Sequence, residues 1–170
     1  MIQQSGSTGE APPPAARPGQ GGTSRRRAAR LAAVQALYQL ELNPGFGADG
    51  VVREFARHRF GRDISDDDFG EVDEALFAEI VRGVAADRDR LDEAIAASLS
   101  DEWPLARLET ILRLLIEAGA YEIVHRRDIP PRVTMSEYVG IAHAFFSGKQ
   151  PGLANGVLDH LARTLRPAEL

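Results

Sequence analysis

Apolar residues recur at three- and four-residue intervals along most of the chain, and that period decides the fold class. A helix of 3.6 residues per turn brings positions i, i+3, i+4 and i+7 to one face, whereas a strand alternates at two. Leu31, Val34, Leu37, Tyr38 and Leu42, with Glu41, keep helical spacing and predict an amphipathic helix over residues 25–42. Asn43-Pro44-Gly45 ends it. A second helix is expected over residues 49–60, around Val51, Val52, Phe55 and Phe60. A third, over 67–86 and capped by Ser65 or Asp66, carries the stripe Phe69, Val72, Leu76, Phe77, Ile80, Val81 and Val84. A fourth spans 88–99, with Leu91, Ile95 and Leu99.

Pro104 suits the first turn of a long helix that ends near His125. Leu105, Leu108, Ile111, Leu112, Leu115, Ile116, Tyr121 and Ile123 are apolar on more than one face, so this helix is expected at the centre. Asp128-Ile129-Pro130-Pro131 reads as a rigid turn. Helices over 134–147 and 152–165 follow, separated by a break at 148–151. No stretch sustains period-two alternation with β-branched enrichment. The expected class is all-α: six or seven helices in a bundle. At 170 residues the chain suits one domain, or two small subdomains sharing a core. Residues 1–24, rich in glycine and proline and nearly without large apolar residues, are expected to form a disordered tail, leaving 25–170 as the helical domain.

Composition excludes several chemistries. The chain has no cysteine, so disulfides, thiolate metal sites and cysteine nucleophiles are absent. Neither GxGxxG nor GxxxxGK[ST] occurs, and there is no HExxH. His58, His125, His143 and His160 do not stand at metal-ligand spacing. Asp66-Asp67-Asp68 reads as a helix start rather than a magnesium site, because adjacent helical residues point in different directions. No cofactor or metal is expected, and a binding protein is favoured over an enzyme. The longest uncharged apolar run is far short of a membrane span, and a cytoplasmic location is expected.

The net charge of -5 conceals an uneven distribution. Residues 1–62 hold nine basic and four acidic groups, 63–124 hold five and seventeen, and 125–170 hold six and four. The acidic middle either keeps the protein soluble or attracts a basic partner. Nineteen of the twenty basic residues are arginine, which discounts any single arginine as a signal. The cluster Arg25, Arg26, Arg27 and Arg30 is different, since it is expected within the first two turns of the first helix. Cations there oppose the helix dipole and the unpaired amides, and a docked polyanion reverses each of those terms. Three readings remain open: nucleic acid, a solvated cluster, or an anionic membrane surface. Among nucleic acids, single-stranded RNA suits an arginine-rich helix, with Gln35 and Phe145 or Phe146 available to bond or stack unpaired bases.

The opening RRRAARLAAVQALYQLEL resembles the first helix of the NusB family of transcription antitermination factors. The similarity returns in RLLIEAGAYEIVHRRDIPPRV, MSEYVGIAHAFF and LANGVLDHLARTLRP, in the same order over roughly residues 25–167. The resemblance implies two packed helical subdomains. It also implies binding of boxA-type RNA in nascent ribosomal transcripts together with NusE, a small-subunit ribosomal protein, within an RNA polymerase antitermination complex. Residue by residue, it implies RNA contacts at Arg25, Arg26, Arg27, Arg30 and Phe145, and a partner surface at Tyr38 and Leu42. Asn155 and Gly156 match the NGVLD motif, where Gly156 is expected to permit close helix approach and Asn155 to hold the junction by hydrogen bonding. Family members occur as monomers and dimers, so a homodimer is an open expectation. The chain departs from the family pattern at Pro131, Ser136, Lys149 and Glu117, which bears on the partner surface. The alternatives are a protein–protein scaffold using the acidic middle and an accessory module of rRNA modification.

Overall fold

A computed structural model describes residues 20–60 and 71–170. Among them the chain forms six α-helices, three short 3-10 turns and no strand, as the hydrophobic period requires. The helices are α1 (Gln20–Leu42), α2 (Gly47–His58), α3 (Glu74–Ser98), α4 (Thr110–His125), α5 (Pro131–Phe145) and α6 (Gln150–Leu165). α1, α2 and α3 pack on one another, as do α4, α5 and α6, and α4 also packs against α1 and α3. One apolar core runs through both groups. α4 is buried on nearly every side, from Leu114 to Ile123 without interruption.

Several boundaries differ from those expected. α1 begins at Gln20, so residues 20–24 are helix rather than tail; residues 1–19 lie outside the described residues. The proposed caps Ser65 and Asp66 also lie outside them. α3 starts at Glu74, where the Asp73 carboxylate accepts the Leu76 amide at 3.0 Å. The expected third and fourth helices are one element, bent at Asp87 (φ -113°, ψ 16°). Pro104 does not open the long helix. Pro104, Leu108 and Glu109 are extended around a 3-10 turn, and α4 starts only at Thr110. α5 begins at Pro131, three residues earlier than expected, because a proline at the first helical position needs no amide partner.

Helix approach is closest at Gly119, not Gly156. A Cβ at Gly119 would stand 2.9 Å from Leu158 Cδ2 and 3.3 Å from Tyr138 Cδ2, so this glycine lets α4 meet α5 and α6. Around a Cβ at Gly156 there is nothing within 4 Å, and both Asn155 and Gly156 are exposed. The close-approach role expected of Gly156 is therefore overturned, and no hydrogen bond of the Asn155 side chain occurs among the described residues.

A partly buried charge network joins α1, α3 and α4. Arg88 Nη1 donates to Glu41 at 3.0 Å, Arg113 Nη1 donates to Glu117 at 2.7 Å, and Arg113 Nη2 also pairs with Glu41. Burial, then the neighbouring Asp92 carboxyl, push the Glu117 carboxyl up to about 7 against the pull of Arg88 and Arg113. Glu117, one of the departures from the family pattern, is held between Arg88 and Arg113.

Two stability predictions follow from this packing. Gly156→Ala should stabilise the protein by about 0.5–1 kcal/mol, whereas Gly119→Ala should destabilise it by about 1–3 kcal/mol, read from urea unfolding. Reversed signs would disprove the assignment of the close seam. Between pH 4.5 and about 7 the unfolded chain releases the Glu117 proton while the folded chain keeps it, so stability falls as pH rises through that window. Glu117→Gln should remove this slope, moving the stability gap between variant and parent by on the order of 1–3 kcal/mol between pH 5 and 7.5. Parallel pH profiles would refute it.

Candidate nucleic-acid interface

Because α1 starts at Gln20, the arginine cluster begins in its second turn. The dipole field is concentrated in the first turn, so the penalty expected for cations there is largely absent. The four arginines also divide. Alanines carry the inner face of α1: Ala29, Ala32, Ala33 and Ala36 are buried with Val34 and Leu37. Arg30 lies on that face and is only 2% exposed. Its Nε and Nη2 each donate to the Glu122 carboxylate at 2.9 Å, and its Nη1 lies 3.7 Å from Glu137. Burial alone would favour loss of the Arg30 proton, but hydrogen bonding and charge from Glu122 outweigh it and hold the guanidinium cationic. Arg30 is thus corrected from a phosphate contact to an internal clamp between α1, α4 and α5.

Arg25, Arg26 and Arg27 are exposed. Arg27 donates Nε and Nη2 to Glu137 at 3.1 and 3.2 Å while remaining 67% exposed. Arg26 lies 3.8 Å from Asp73, a loose pair whose carboxylate is already engaged in capping α3. Arg25 has no ion pair among the described residues; its carbonyl accepts the Asp73 amide at 3.1 Å, which fastens this end of α1 to the start of α3. The field of Arg26 also reaches Asp128, whose carboxyl Arg126 hydrogen bonds hold down at about 2.

The aromatic and polar candidates stand elsewhere. Gln35, Tyr38, Leu42 and Phe145 line one groove of about 560 Å³ with Phe55 and Ile111, between α1, α2, α4 and α5. Tyr38, Leu42 and Phe145 are exposed there, and Gln35 accepts from Arg59 at 3.4 Å. Arg26 and Tyr38 are twelve residues apart, about 18 Å along the helix. Gln35 and Phe145 therefore sit with the expected partner residues rather than beside the arginines. A separate hollow lined by Arg27, Leu31, Ser136, Gly140 and Ala144 lies between α1 and α5. Phe146 is half-buried against the core, its ring centroid 6.4 Å from that of Phe145.

Sequence reasoning missed Glu122 and Glu137, although a carboxylate in the apolar stripe of a helix was a visible signal. It also missed a second groove of about 480 Å³ that gathers Trp103, Arg107, Leu112, Lys149 and Leu153. Of the residues departing from the family pattern, Ser136 is exposed in the hollow beside α5, Lys149 is exposed at this second groove, and Pro131 is buried at the start of α5. Part of the acidic middle is engaged with basic residues of the chain: Glu79 with Arg126, Asp87 with His125, Glu117 with Arg113 and Glu122 with Arg30, while Glu71, Glu74, Asp89, Glu93, Asp101, Glu102 and Glu109 are exposed. Among the described residues no carboxylates and histidines group as a metal site, and no helix is long and apolar enough to cross a membrane.

The same architecture occurs in a solved structure of T. maritima NusB, with a TM-score of 0.69 and 25% identity over 85% of this chain and 94% of that one. The transcription antitermination protein NusB of Rhodopseudomonas palustris (strain BisB18) is 46% identical over 146 residues, 86% of each chain. That of Caulobacter vibrioides is 45% identical over 141 residues, 83% of this chain and 94% of its own. The model of the NusB family matches residues 27–163. With its described residues all helical and its similarity extending over most of its length, this chain belongs to the NusB family.

Proposed function

We propose that the chain is a non-enzymatic transcription antitermination factor that binds boxA-type single-stranded RNA of nascent rRNA transcripts. Membership of the NusB family supports the antitermination role. The observation that carries RNA binding is the exposed run Arg25, Arg26 and Arg27 of α1, three cations that remain open to solvent where Arg30 is buried. Exposed guanidinium groups grip phosphates by paired hydrogen bonds, and each phosphate neutralised releases counterions. Further along α1, Gln35 and Phe145 line a groove in which an exposed ring offers a stacking face to an unpaired base. Tyr38 and Leu42, on the far edge of the same groove, form an apolar patch fitted to a protein partner, read here as the ribosomal protein NusE. The RNA–protein pair in turn engages RNA polymerase. A scaffold using the acidic middle is less well supported, because its most buried carboxylates, Glu117 and Glu122, already hold arginines and the family membership points to antitermination.

The test is a titration of labelled boxA-type RNA at several salt concentrations, with and without the ribosomal protein. Arg25→Ala with Arg26→Ala should weaken binding and lower the salt slope by about 1.4, roughly 0.7 per phosphate on a single strand, with the fold intact. Arg30→Ala should instead destabilise the fold by about 3–5 kcal/mol, since it strands buried Glu122. Tyr38→Ala should weaken the protein partner more than RNA alone. Identical RNA isotherms for the double variant and the parent would sink the RNA reading.

A further inference from the structure

Glu137 belongs to α5, yet its charge is directed at α1. Its side chain is 8% exposed and accepts both Nε and Nη2 of Arg27, with Arg30 Nη1 3.7 Å behind it. Arg30 in turn is engaged on Nε and Nη2 by Glu122. The four side chains make a chain, Glu122, Arg30, Glu137 and Arg27, that runs from the interior to solvent with two charges of each sign. Its net charge is zero. Arg27 is exposed, but to an approaching phosphate it is half of a neutral pair.

A carboxylate and a phosphate present the same pair of oxygens to a guanidinium fork. The edge of Arg27 that best grips a phosphate is therefore the edge Glu137 already holds. Glu137 has a second cation in Arg30, so it is not stranded when Arg27 turns outward. Among the described residues Arg25 and Arg26 donate to no such bidentate buried carboxylate: the one ion pair of either is Arg26 with the half-buried Asp73, at 3.8 Å.

We infer that Glu137 is an internal stand-in for RNA phosphate, holding the Arg27 fork in the free protein and competing with the transcript for it. This rests on the RNA-binding role proposed above and assigns to that surface a residue that sets its affinity and salt dependence. On binding, Arg27 exchanges a carboxylate for a phosphate, and Glu137 falls back on Arg30.

The experiment compares Glu137→Gln with the parent in titrations of a short single-stranded boxA-type RNA across salt. The amide keeps the shape and removes the charge. The expected result is binding tighter by about two- to five-fold near 0.1 M salt and a salt slope steeper by about 0.7, one more phosphate's worth. Arg27→Ala should cost more affinity in the Glu137→Gln background than in the parent, a coupling read from the double-mutant cycle. Weaker binding by Glu137→Gln, or an unchanged slope, overturns the inference. Should that variant lose its helicity, the parent alone decides: the Arg27 Nε resonance should shift as RNA saturates, and a resonance that stays put overturns it. Loss of binding by the Arg25 and Arg26 double variant with no change at Glu137→Gln defeats only this inference. A double variant that binds like the parent defeats the RNA role itself.

Discussion

Taking a guanidinium out of water costs several kcal/mol unless anions replace the lost solvent, so the place of Arg30 constrains three helices together. Its fork is met by Glu122 on α4, and its remaining nitrogen faces Glu137 on α5. α1 cannot rotate or slide without separating these charges. Everything on its outer side inherits that fixed phase: Arg27 and Leu31 at the hollow beside α5, Tyr38 and Leu42 at the separate groove further along. The clamp also explains why a surface so rich in arginine does not repel itself apart. One of the four cations is internal and a second is held by Glu137, so two remain outside with little compensation.

The other end of the bundle repeats the device with different strength. Glu41, Arg88, Arg113 and Glu117 tie α1, α3 and α4 together close to the bend at Asp87. Here a carboxylate is more deeply withdrawn than its arginines, and its proton affinity rises accordingly. Part of the acidic composition of the middle third is therefore structural, in Glu79, Glu117 and Glu122, each of which holds an arginine. A surplus of carboxylates in sequence is not a negative surface when the arginines that meet them come from elsewhere in the chain.

The helical class and the centrality of α4 were legible because period and burial are local properties of a helix face. The break at Asp87 was legible as an interruption of pattern, though the chain bends there rather than stops. What sequence could not supply was pairing across elements. Arg30 sits one turn after Arg26 and looks the same in sequence, yet α4 and α5 bring carboxylates to one and not the other. The start of α1 was misplaced because Gly21 and Gly22 read as chain breakers, and that error carried the dipole argument with it. Gly156 was mistaken for the close seam on motif grounds; Gly119, inside an unbroken apolar run, gave no punctuation to read.

Gly119 has a mate on the opposite side of α4. The ring of Tyr121 lies so close to Gly83 of α3 that a methyl group there would overlap it. α4 is thus wedged on two sides, by Leu158 against one glycine and by its own tyrosine against another. Interlocked packing of this kind resists small slips and yields only in discrete jumps. The span from the arginines to the Tyr38 groove consequently behaves as a ruler rather than a hinge: a ligand long enough to touch both must supply the slack itself.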